Sequence, residues 1–183
     1  MYQLQRLPRV RPAVAIVSLV FALSACSGEG AKREYATPDR LCGTALRTSL
    51  LDPFLPGGKQ IDVRLADTGV IGMRRCNVTV DGEKTMALST VWSSPGTAVS
   101  QISASWPRID VSEHVAKDGS HSYSEEGGVS KVSCPRPDKT WRDAPGQLFV
   151  VVYALNTTPE NEQKMRELVT GYARAVGVAD ECN

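Results

Sequence analysis

The chain has 183 residues, 42% of them hydrophobic, and its 21 basic and 20 acidic side chains give a net charge of +1 at pH 7. That near-balance excludes a strongly basic protein built to grip nucleic acid phosphates, so nucleic acid is not an expected partner. The length suits a single domain able to bury a sizeable core, and no internal repeat divides it.

The first 25 residues read as a leader. Arg6, Arg9 and Arg11 precede an apolar run from Ala13 to Leu23, and no acidic residue occurs before Glu29. These eleven residues, all apolar but Ser18, are about half of the ~20 needed for a membrane-spanning helix, but they fit the core of a signal peptide. No paired arginines stand before the run, so general secretion is the expected route. Removing the leader takes three arginines from the 21 basic residues, which leaves 18 basic against 20 acidic side chains and a net charge of −2. A polybasic second membrane signal is therefore not expected.

Leu23-Ser24-Ala25-Cys26 resembles the lipobox of bacterial lipoproteins. In that motif the cysteine sulfur accepts a diacylglycerol, and small residues before it admit the backbone to a peptidase. The resemblance implies lipidation at Cys26 and a mature chain that begins there. Two acyl chains, at about 0.8 kcal/mol per buried methylene, hold a membrane stably where one is marginal. The alternative is ordinary cleavage nearby, with Cys26 left as a spare thiol.

With Cys26 set aside, Cys42, Cys76, Cys134 and Cys182 remain. An even number in an exported domain implies two disulfides, for which three connectivities exist. The pairs Cys42–Cys76 and Cys134–Cys182 are preferred, because each joins successive cysteines and ties a terminal segment to a strand. Neither a C-x-x-C nor a His/Cys cluster points to a metal, and no cofactor motif occurs.

Ser27–Ala36 is polar, glycine-containing and aperiodic, and reads with Cys26 as a tether (26–36) before a single domain over 37–183. Thr37-Pro38-Asp39 looks like a helix start, with Leu41, Ala45, Leu46 and Leu50 on one face. Ile61, Val63 and Leu65 alternate with polar residues as a half-buried strand, and Cys76, Val78 and Val80 do the same. Asp81-Gly82 signals a hairpin into Thr85–Trp92. A two-residue turn would set Val78 opposite Thr85. A three-residue loop of Asp81, Gly82 and Glu83 sets it opposite Met86 and Cys76 opposite Leu88, and is preferred because a one-residue slip inverts the faces.

Ser94-Pro95 suggests the cap of a short helix carrying Val99, Ile102 and Trp106 and ended by Pro107. The polar stretch from Val111 to Gly128 reads as a hairpin or loop, Val129–Cys134 as a strand, and Pro135–Pro145 as a connection. Gln147–Leu155 is apolar almost throughout and is the expected central strand. The last helix has Thr158 as cap and Pro159 at its start, a stripe of Met165, Leu168, Val169, Tyr172, Ala173 and Val176, and a stop at Gly177. The sum is an α+β domain: an antiparallel sheet with an N-terminal and a C-terminal helix packed against it.

Catalytic signatures are lacking. There is no G-x-S-x-G elbow, H-E-x-x-H, P-loop or dinucleotide fingerprint. His114 and His121 stand among Glu113, Asp118, Glu125 and Glu126. A solvated loop is preferred there over a weak metal site or a pH-sensitive loop. Asn77-Val78-Thr79 and Asn156-Thr157-Thr158 match the glycosylation sequon, a coincidence in a bacterial chain. Trp92 shares strand parity with Met86 and Leu88 and belongs in the core. Trp141 either tucks onto the sheet or, beside Arg142, contacts a partner.

The layout resembles the uncharacterised lipoproteins of actinobacteria: lipobox, tether, Cys42 in RLCGTAL, Cys76 in MRRCNVTV, the strand QLFVVVYAL and an amphipathic last helix. That likeness implies no catalytic residue. The expected function is a non-enzymatic binding or interaction module, lipid-anchored on the outer face of the cytoplasmic membrane, with an envelope protein or ligand of unknown identity as partner. A cell-envelope hydrolase or a small-ligand carrier is the alternative.

Overall fold

A computed structural model describes residues 32–106, 109, 114–134, 140–141, 144–155, 157–179 and 182. The fold is broadly α+β, with a seven-stranded antiparallel sheet and three helices.

The described chain starts docked rather than free. Arg33 donates to the Asp52 side chain (2.9 Å) and to the backbone carbonyls of Asp52 and Leu55. Tyr35 donates to the Pro56 carbonyl, and the Glu34 N–H bonds Gly58 (2.8 Å). Residues 32–36, expected in the tether, are thus held against the domain by a half-buried arginine that donates to Asp52, Leu55 and Thr37.

The expected N-terminal helix is replaced by a small hairpin, β1 (Arg40–Leu41) and β2 (Thr44–Ala45), followed by one helical turn, α1 (Thr48–Leu51), and a 3-10 turn (Asp52–Phe54). Cys42 and Gly43 both have positive φ, 47° and 102°, the paired left-handed geometry of a two-residue hairpin turn. No helix passes through such a pair. Leu41, Leu46 and Leu50 are buried as the spacing implied, but Ala45 is exposed.

β3 (Ile61–Ala66) and β4 (Met73–Val80) pair in register, and β4 pairs with β5 (Glu83–Ser93). Cys76 stands opposite Leu88 and Val78 opposite Met86, the register that puts both pairs in the core. The turn is nevertheless two residues, with Asp81 and Gly82 at φ 51° and 86°. A bulge absorbs the extra residue: the pairing shifts between Val78 and Thr79, and Thr85 is the surplus position. Leu65, expected to be half-buried, is 56% exposed at the sheet margin.

A turn at Ser94–Thr97 precedes α2 (Val99–Ala104), so the helix starts later than the serine-proline pair suggested. Gln101 accepts from the Ala98 N–H (2.7 Å) at its start. Pro107 lies outside the described residues. The polar stretch folds as β6 (His114–Val115) and β7 (His121–Tyr123), which join β8 (Gly127–Lys131) in the main sheet. β9 (Thr140–Trp141) and β10 (Ala144–Pro145) form a small ladder.

β11 (Gln147–Ala154) occupies the centre of the order β3-β4-β5-β11-β8-β7-β6, and Leu148 to Val152 are all buried. A 3-10 turn (Pro159–Asn161) leads into α3 (Glu162–Gly177), and Thr158 makes no side-chain cap bond.

Strand parity divides the core. Met86, Leu88, Leu148, Val150 and Val152 share one cluster with the α3 stripe Met165, Leu168, Val169, Tyr172, Ala173 and Val176. Phe149, Val151 and Val129 point the other way, into a smaller cluster with Val99 and Ile102 of α2. Trp92 packs partly buried against the first cluster and Trp106 against the second. Disulfides join Cys42 to Cys76 and Cys134 to Cys182. No helix among the described residues is long and apolar enough to cross a membrane.

Candidate functional site

The densest group of chemically capable side chains lies where the β6–β7 hairpin meets α3. Alternation puts His121 and Tyr123 on one face of β7, and pairing sets His114 opposite Tyr123. That face is the α3 side of the sheet, since the neighbouring Gly128, opposite Tyr123 on β8, approaches Val169. Glu162 and Arg166, one helical turn apart on α3, therefore reach the same region.

The rings stack: His114 lies 5.2 Å from Tyr123 at 18° between planes, and His121 lies 6.0 Å from it at 20°. His114 Nε2 meets Glu162 Oε1 at 3.1 Å. Ser120 Oγ and His121 Nδ1 are hydrogen-bonded at 2.9 Å, and the Ser120 N–H donates to Asp118 Oδ1 (3.0 Å). Gly119, at φ +65°, allows the tight turn that brings Asp118 and Ser120 together. Arg166 and Lys117 complete a hollow of about 520 Å³.

Electrostatics follow from placement. Burial pushes the His121 pKa below its ordinary value, the Arg166 guanidinium adds to that, and Asp118 opposes both. Hydrogen bonds from Ser120, side chain first and then backbone, hold the Asp118 carboxyl below the usual range.

The arrangement suits recognition better than acyl transfer. Ser120 bonds the His121 imidazole, Glu162 the His114 imidazole, and Asp118 accepts from Ser120, so these hydrogen bonds do not run serine–histidine–carboxylate as a relay does. Two cations beside stacked flat rings offer hydrogen bonds and charge to an anionic or polar ligand. No group of three or more His, Cys, Asp or Glu residues among the described residues is placed to hold a metal ion.

The sequence reads His114 and His121 as a solvated loop; in the fold they are half-buried strand residues. Tyr123, Ser120, Glu162 and Arg166 were not anticipated. The His121/Tyr123 alternation and the Glu162/Arg166 spacing were visible, but nothing local showed that these segments meet.

Of the other candidates, Cys26 and Arg142 lie outside the described residues, as does the side chain of Trp141. A second, polar hollow of about 450 Å³ lies over β3 and β4, lined by Asp62, Arg64, Asn77 and Thr79. The buried Asn77 Oδ1 there has no hydrogen-bond partner. Beside it, the Arg75 guanidinium stacks on the Trp106 ring at 4.8 Å. A scan against protein-family models, a search of curated proteins and a search of solved structures each found no match to the chain.

Proposed function

We propose that this is a lipid-anchored, extracytoplasmic protein of the actinobacterial lipoprotein type. It acts as a non-enzymatic binding or interaction module on the outer face of the cytoplasmic membrane. The observation that carries the anchor is one of cysteine chemistry. Four of the five cysteines are consumed in disulfides, which leaves Cys26, at the end of Leu23-Ser24-Ala25, without an intrachain partner.

The docked start of the domain sharpens the tether. Only Ser27–Ala31 separate Cys26 from Lys32, a reach of about 17 Å fully extended. Lys32 and Glu34 bond Gly58, beside the Asp81-Gly82 turn, so that end of the sheet would face the membrane. The β3–β4 loop with exposed Val70 and Ile71 stands at the far end of β3.

The hollow at His114, His121, Tyr123 and Arg166 is the binding surface of this reading. A carrier with an interior cavity between sheet and helix has less support: the gap beneath the Cys42–Cys76 bridge, lined also by Leu41 and Tyr172, is about 10 Å³, far below the ~300 Å³ of a ligand cavity. Cys26→Ser tests the anchor by fractionation of cells. Release to the medium, or accumulation of the unprocessed chain, is expected; a processed form still held in the membrane would overturn it.

A further inference from the structure

β3 is an open edge. Among the described residues only β4 pairs with it. It runs six residues, Ile61 to Ala66, with no proline, no lysine and no shift of register, the features that usually protect an edge. The opposite edge, β6, is two residues long.

The strand is its own complement. An antiparallel pair about a two-fold axis through Val63 sets Val63 against the partner's Val63. It sets Asp62 against the partner's Arg64, Arg64 against the partner's Asp62, and Ile61 against the partner's Leu65. Paired residues point to the same side, so both acid–base pairs fall on the polar face. Ile61, Val63 and Leu65 fall on the face where Ile61 and Val63 already pack against the main core. Centring on Asp62 would oppose two carboxylates, and centring on Arg64 two guanidiniums.

Two further observations fit this register. Leu65 is 56% exposed on the apolar face, and Ile61 of a second copy would cover it. Arg64 Nε already holds Asp62 Oδ2 at 2.6 Å, with Arg64 81% exposed, so pairing would extend an ion pair into a two-by-two set of alternating charges.

We propose that two copies of this chain associate through β3, centred on Val63, into one continuous sheet. The inference is independent of lipidation at Cys26. Five paired residues a side bury less than the ~1,200 Å² of a stable interface, so the dimer is weak and concentration-dependent.

Sedimentation velocity of the purified full chain over a concentration series tests it. The native chain is expected to show a monomer–dimer equilibrium. Asp62→Arg and Arg64→Asp each place like charges opposite one another and weaken self-association about tenfold or more. An equimolar mixture of the two variants restores opposite charges at both positions and regains the dimer. The double exchange D62R/R64D in one chain does the same. A native chain that stays monomeric throughout, a single variant that dimerises like the native chain, or folded variants whose mixture stays monomeric would overturn the proposal.

Discussion

The Thr85 hydroxyl donates to the Val78 carbonyl across the β4–β5 pair at 3.1 Å, at the point where the ladder absorbs its extra residue. Thr85 is 3% exposed, so the bond is made away from water. Thr85→Val keeps the shape and removes the donor. It should cost about 1 kcal/mol, lowering Tm by about 2–4 °C in a domain of this size, with the fold retained. A thermal melt beside the native chain reads this, and an unchanged Tm would deny the bond its role.

Gly128 marks a close crossing of β8, β7 and α3. A Cβ there would stand 2.9 Å from the Ser122 carbonyl oxygen and 3.2 Å from both Tyr123 Cβ and Val169 Cγ1. Gly128→Ala must push β7 away from β8, at a cost of about 1–3 kcal/mol. Because Tyr123 carries the histidine stack, the His114 and His121 NMR signals should shift in the same variant. Native melting with unmoved histidine signals would contradict the packing described.

The disulfides close loops of 34 and 48 residues. Chain entropy then assigns each about 4 kcal/mol through restriction of the unfolded state. Double alanine replacement of either pair should lower the unfolding free energy from a denaturant titration by a similar amount, the Cys134–Cys182 pair slightly more. A negligible change for one pair would mean that its loop is ordered without it.

His121 gives a pH dependence of definite sign. Its pKa in the fold is lowered from the ordinary 6.5, first by burial and then by Arg166. The unfolded chain therefore takes up the proton more readily. The stability contribution is complete above about pH 6.5 and is lost as pH falls through that value toward the folded pKa. NMR titration should place the His121 midpoint below 6.5. Arg166→Gln should raise it and Asp118→Asn lower it further; shifts of the opposite sign would refute the assignment.

What the sequence showed was what local periodicity can encode. The run Leu148–Val152, apolar on both faces, is central because only a strand covered on both sides needs it. The Met165–Val176 stripe is buried as spaced. The Val78–Met86 register was legible from face matching, whereas the bulge that achieves it was not, because a two-residue turn plus one surplus residue leaves the same pattern as a longer loop. The N-terminal helix failed at Cys42-Gly43: the leucine spacing fitted a helix, and only the positive φ at both positions excludes it. The site was least legible. His114 and His121 acquire their surroundings from Glu162 and Arg166, more than 40 residues on, and no local pattern reports that contact.

Intact-mass analysis of the protein extracted from its native membrane tests the proposed lipid anchor at Cys26. The expected chain begins at Cys26, is heavier by a thioether-linked diacylglycerol, and has the other four cysteines oxidised in two pairs. A chain cleaved elsewhere, or one beginning at Cys26 with a free thiol, would contradict it.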